Sequence, residues 1–204
     1  MSYKTILELF PNPTELRKRA ILFDKINSVL GIEQTVFSEN FNNQGYERYF
    51  WEDGAGNEAN IIFKADGVNP EAVLVYGYDH ESIFNYYDSD NKQIVFDGVP
   101  ESFLPLLENG SLVWSWDTGS EKKVYATTAI WRDKNDNEWH INPEFVKQAE
   151  DEQENGGFNY FFKLFMRPLD AERVKKEYAD RGYEDSDLAA VEETFNTYYK
   201  EPLS

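Results

Sequence analysis

The chain has no cysteine in 204 residues, and that absence removes disulfide staples, thiolate metal centres and cysteine nucleophiles together. Histidine is almost as scarce. Only His80 and His140 occur, so imidazole chemistry is confined to two positions. No run of about 18 apolar residues is present, which excludes a membrane-spanning helix of ordinary length. The first nine residues lack the basic segment and apolar stretch of a secretory leader. The expectation is a cytoplasmic protein that does not span a membrane.

Positive charge is also in short supply. Twenty Lys and Arg face 38 Asp and Glu, for a net charge of -18 and a pI near 4.4. The imbalance is uneven along the chain: residues 1–30 carry five basic and three acidic groups, 31–142 seven and 20, and 143–204 eight and 15. Such a surface repels phosphate backbones, so neither nucleic acid nor an anionic membrane is expected as a partner. A basic protein is the partner that the charge favours, through faster encounter.

What is present is enough to fold. Hydrophobic residues make up 41% and aromatics 16% of the chain, which supports a buried core despite a mean hydropathy of -0.67. The length suits one ordinary domain. The pattern of elements predicts a single α+β domain over 1–204. An antiparallel sheet of about five to seven strands and an N-terminal helix occupy 1–142, with a helical C-terminal extension over 143–204.

Asn12-Pro13-Thr14-Glu15 reads as a capped helix start, with Leu16, Ala20, Phe23 and Leu30 on one stripe, Ile26 beside it and Gly31 as the stop. Arg17, Lys18 and Arg19 are then expected on a solvated face. Residues 46–51, 59–65 and 71–77 read as three strands joined by short turns, hence an antiparallel meander. Brief strands are expected at 94–96, 112–116, 123–132 and 138–141, the last two forming a hairpin. A short helix is expected within 100–107, which Pro105 prevents from being longer. Beyond Asn142-Pro143 the spacing turns helical: one helix carries Phe145 and Ala149, and 158–166 has polar residues every fourth position. Asp170 caps a helix that Gly182 stops, and Ser186 opens another, with Leu188, Val191, Phe195 and Tyr198 on one face.

The stretch from Ala72 to Tyr87 runs from the most strand-like segment into the densest patch of reactive side chains. Tyr78, Asp79, His80, Glu81, Ser82, Phe84, Tyr86 and Tyr87, together with Trp131, Trp139 and His140, form the candidate binding set. If 78–82 is extended, its period of two puts Asp79 and Glu81 opposite His80 and Ser82, so no triad forms within the strand. Asp79, His80 and Glu81 meeting His140 across the sheet would instead suit a metal-assisted hydrolase. No HExxH spacing supports that, and no nucleophile-elbow glycines flank Ser82. Two other matches fail on context: the glycines at 54 and 56 precede a strand, unlike a dinucleotide fingerprint. The acidic turn from Asp133 has Glu138 where a calcium loop needs Gly. Catalytic and metal-ligating residues are therefore assigned to none, no cofactor is expected, and protein binding is the leading reading.

Two resemblances accompany this reading. The segments GYDHES at 77–82 and IWRDKNDNEWH at 130–140 resemble those of an uncharacterised group of bacterial proteins, which implies no reaction. The segment VPESFLPLLENG at 99–110 is similar to the Pro-Glu helix and Asn-Gly turn of SMI1/KNR4-like immunity proteins. In those the element precedes the sheet, whereas here three expected strands come first. That resemblance implies an antitoxin-like role, masking a basic toxin domain.

Overall fold

A computed structural model describes residues 2–32, 37–41, 45–52, 55–66, 69–85, 94–108 and 124–200. The architecture is α+β, built on one antiparallel sheet. Among the described residues the sheet has five strands in sequence order, β1 (Phe37–Phe41), β2 (Tyr46–Glu52), β3 (Glu58–Asp66), β4 (Asn69–Tyr78) and β5 (Thr128–Arg132). Around it lie α1 (Tyr3–Leu9), α2 (Pro13–Val29), α3 (Leu104–Glu108), α4 (Pro143–Asp151), α5 (Phe158–Phe162), α6 (Ala171–Asp180) and α7 (Asp185–Tyr198). The expected fold class and the β2–β4 meander both stand.

The register defines two faces. One carries the rows Tyr49–Ile61–Val75–Ile130 and Trp51–Ala59–Gly77–Thr128. Helical residues cover it: Trp51 stacks on Phe165 at 5.7 Å and meets Phe162 edge-on at 5.4 Å. The ring of Phe161 lies over Gly77, where a Cβ would sit 2.5 Å from it. The other face carries Arg48–Ile62–Leu74–Trp131 and Phe50–Asn60–Tyr76–Ala129. Residues 94–103 cover that side, with Phe96 against Tyr76, Gly98 against Trp131 and Phe103 against Tyr46. The central strands are thus buried on both faces, and Ala72 to Gly77 reads as a continuous apolar run for that reason.

Helix starts follow their capping chemistry. The Asn12 side chain accepts the Glu15 N–H at 3.0 Å, Asn142 accepts from Glu144 and Phe145, and Asp170 accepts from Arg173 at 2.8 Å. Gly31 and Gly182, at φ of 67° and 90°, supply the left-handed stops. Phe158 and Phe162 of α5 are fully buried, each worth roughly 1.5–3 kcal/mol on transfer from water.

Several expectations need correction. Residues Ile94–Phe96 form a 3-10 turn and no strand, because Val95 packs downward onto the sheet as a cover. The strand expected over 123–132 begins only at Thr128, and 138–141 contributes a single bridge, His140 to Trp131. The 112–116 strand lies outside the described residues. The helix α1 was not expected, nor was β1. The helix expected over 158–166 covers only Phe158–Phe162. The last helix starts at Asp185, capped by Glu184 with Asp187 reciprocating, ahead of Ser186. Tyr198 is 43% exposed and Tyr199 packs inward in its place. Arg17 and Arg19 are not on a solvated face. Arg17 Nε sits 2.6 Å from Glu47, and Arg19, 8% exposed, reaches into the core.

Candidate functional site

The strand β4 ends at Tyr78, and the chain then turns, with Ser82 N–H donating to Asp79 O at 3.1 Å. The conditional alternation over 78–82 therefore does not apply. The turn is cross-linked throughout. Asp79 N–H donates to Thr127 Oγ1 at 2.9 Å, and the Asp79 carboxylate accepts Glu81 N–H at 3.0 Å. The backbone N–H and ring Nδ1 of His80 lie 3.0 and 2.8 Å from the same Asn57 Oδ1. Because Asn57 Oδ1 can only accept, Nδ1 carries the proton in this contact. Asn85 Nδ2 donates to His80 O at 3.0 Å. The Ser82 hydroxyl donates to Glu154 Oε1 at 2.7 Å and accepts Phe84 N–H at 3.1 Å, while Glu154 Oε2 accepts Ile83 N–H at 3.2 Å.

The candidate residues divide by burial. His80, Glu81 and His140 are exposed, and Tyr78 and Asp79 are half-buried. Ser82, Phe84, Trp131 and Trp139 are buried. The Phe84 ring sits 5.0 Å from Phe145, and Trp139 donates its indole N–H to Pro11 O at 3.0 Å. Those rings are already covered by the protein's own core and present no surface to a partner. Tyr86 and Tyr87 lie outside the described residues.

The two histidines are held apart by the sheet. His140 bridges Trp131, which pairs with Leu74, whereas His80 lies beyond Tyr78, the end of the same strand. Four strand residues span about 13 Å, so one metal does not reach both imidazoles. His140 Nε2 is instead 3.0 Å from Asp136 Oδ2. Among the described residues no three His, Asp or Glu side chains converge to hold a metal ion.

Two further constellations escape sequence reading. On the 94–103 side of the sheet, Arg48 is 4% exposed, donates Nε to Asn60 Oδ1 at 2.8 Å and lies 4.7 Å from the Phe50 ring. Asn60 Nδ2 and the Tyr76 hydroxyl, on residues directly paired across β3 and β4, are buried with no hydrogen-bond partner among the described residues. Beside them Glu58 is pushed up to about 7 by burial, with the Arg48 charge pulling the other way and Glu52 adding to the rise.

On the opposite face, a cavity of about 390 Å³ opens between α2, β2, residues 160–165 and α6. Its walls include Phe23, Tyr49, Trp51, Phe161, Phe165 and Tyr178. At its wall the Tyr178 hydroxyl donates to Asn27 Oδ1 at 2.8 Å. Burial raises both the Tyr49 and Tyr178 hydroxyls above the ordinary tyrosine range, so both stay protonated. Asn57, which holds His80, also lines the cavity. The turn and the cavity are therefore neighbours.

Comparison with protein-family models, curated proteins and solved structures finds no match to this chain. The cavity is assembled from residues between 20 and 181, so no local motif marks it. The one sequence signal is the high aromatic content of 16%.

Proposed function

We propose that this chain is an acidic protein-binding module whose partner is a basic protein, in the manner of an immunity protein covering a basic toxin domain. One observation carries the reading: Glu154 fastens the exposed turn at 80–83 to the acidic end of α4. Both carboxylate oxygens are engaged, one by Ser82 and the other by Ile83. Ile83 is thereby held 58% exposed. Next to it in sequence is exposed Glu81, and Glu150, Asp151 and Glu152, all exposed, lead into Glu154.

An exposed apolar side chain, with exposed carboxylates next to it and to its anchor in sequence, suits a surface rich in Lys and Arg. Steering by the net charge of -18 accelerates encounter, while the contact around Ile83 sets how long the complex lasts. The reading needs no reaction at His80 or His140. It is consistent with the expected exclusion of nucleic acid and membrane. Among the described residues no helix is long and apolar enough to cross a bilayer.

The test is capture and identification of the partner followed by association kinetics at rising ionic strength. The expected result is a basic partner whose on-rate falls by at least tenfold between low and physiological salt. Ile83→Asp should raise the off-rate, and a triple Glu150→Gln, Asp151→Asn, Glu152→Gln variant should slow association with little change in dissociation. An on-rate indifferent to salt, or a partner without excess positive charge, overturns the proposal.

A further inference from the structure

The aromatic cavity holds a buried group whose bonding is incomplete. Asn27 is 4% exposed, and its carbonyl oxygen takes the Tyr178 hydroxyl proton at 2.8 Å. Among the described residues its amide nitrogen has no hydrogen-bond partner, yet that atom is not fully enclosed. Because Asn27 lines the cavity, that donor opens into it. A donor reached from the cavity is left to water, and an acceptor brought by an occupant would take that water's place.

The walls specify the rest of the occupant. Phe23, Tyr49, Trp51, Phe165 and Tyr178 line it from four segments, and a volume near 390 Å³ falls within the range of small-molecule pockets. The charges at the mouth are largely spoken for: Glu177 lies 3.3 Å from Lys163 and 3.2 Å from Arg181. Glu52 is the remaining carboxylate, and the molecule as a whole is strongly negative, so anionic compounds are disfavoured. Lys163 and Arg181 share the one Glu177 carboxylate, and with Glu52 the described lining residues carry two cations and two carboxylates, so the lining offers a carboxylate or phosphate no net attraction.

We infer that this cavity is a binding site for a neutral, planar aromatic small molecule that offers one hydrogen-bond acceptor, a ring nitrogen or a carbonyl, to Asn27 Nδ2. The rings contribute stacking and apolar burial, and the asparagine fixes orientation. The cavity lining does not include Ile83 or Glu154, so the inference stands or falls independently of the partner proposal.

The experiment is a titration of isotope-labelled protein followed by amide and indole N–H resonances. The probes are coumarin and quinoline, which carry an acceptor, naphthalene, which does not, and the anion 2-naphthoate. Coumarin and quinoline should give saturable shifts at the Asn27 side-chain amide and the Trp51 indole, and bind about fivefold more tightly than naphthalene. Asn27→Leu should erase that difference by weakening the acceptor probes alone. Leu164→Trp, at a half-buried lining position, should block all of them and remains readable if Asn27→Leu does not fold. The inference is overturned if neither acceptor probe saturates, if naphthalene binds as tightly, if 2-naphthoate binds best, or if Leu164→Trp leaves the shifts unchanged.

Discussion

Glu154 and Ser82 are 72 residues apart in sequence and joined by a hydrogen bond of 2.7 Å, from the serine hydroxyl to the carboxylate. The second oxygen of Glu154 takes the Ile83 amide at 3.2 Å. The loop after β4 therefore owes its shape to a residue beyond the end of α4. Hydrogen bonds to a charged group contribute about 1.5–3 kcal/mol each when shielded, and less where water competes. Glu154→Ala should lower stability by about 1–2 kcal/mol. The loss should appear as a shifted denaturation midpoint at constant slope, with faster amide exchange at Ile83 and Phe84.

Gly156 is the tightest backbone contact near that junction. Its φ is +59°, and a Cβ there would lie 1.9 Å from the carbonyl oxygen of Thr127. The same residue's carbonyl accepts the Thr127 hydroxyl at 2.8 Å. No rotamer relieves a clash between Cβ and main chain. Gly156→Ala should destabilise the protein by about 3 kcal/mol or more, through displaced backbone together with left-handed strain. Calorimetry would show this as a fall in Tm. By contrast Gly182→Ala, with nothing within 4 Å of the added carbon, should cost about 1 kcal/mol, from the strained φ alone.

Much of this architecture is legible in the sequence, and the reasons are local. Asn12-Pro13, Asn142-Pro143 and Asp170 mark helix starts by chemistry that acts within three residues. The β2–β4 meander follows from short turns between apolar runs. Elements that cover rather than build the sheet are harder to read. Ile94-Val95-Phe96 has strand-like residues but serves as a lid on Tyr76, a role that only tertiary context assigns. The candidate patch divides by burial: His80 and Glu81 are exposed, whereas Phe84, Trp131 and Trp139 pack into the core that a rich aromatic content requires. The cavity is illegible for a different reason, since its walls come from four separated segments.

Glu58 should leave a signature in the pH dependence of stability. Its folded-state value is pushed up to about 7 from 4.5, chiefly by burial. A carboxyl that holds its proton more tightly when folded favours the native state at low pH. Stability from this group then falls as pH rises from about 4.5 to 7 and is level above that, a change of up to about 3 kcal/mol. Glu58→Gln stays neutral throughout. The difference in unfolding free energy between variant and wild type should therefore grow in the variant's favour across that window and plateau near pH 7.5. Denaturation at a series of pH values checks it, and a constant difference would refute the assignment.

Arg19 shows how a charge run can mislead. In sequence it sits in Arg17-Lys18-Arg19, yet in the fold the residue is 8% exposed and its guanidinium forks between three acceptors. Nε donates to Glu15 at 2.7 Å, and Nη1 donates to the backbone oxygens of Phe165 and Arg167 at 2.6 and 2.8 Å. These bonds tie α2 to the segment that carries Phe165, so Arg19 fixes one wall of the cavity against another. A lysine ammonium is a point donor and lacks the planar fork. Arg19→Lys should cost about 2–3 kcal/mol, because one carbonyl is left buried without a donor. It should also broaden the Trp51 indole resonance, since Trp51 stacks on Phe165. Lys18→Ala removes a side chain 5.0 Å from the Tyr199 ring and should cost less than about 1 kcal/mol. Equal losses in the two variants would mean that Arg19 acts as a surface charge after all.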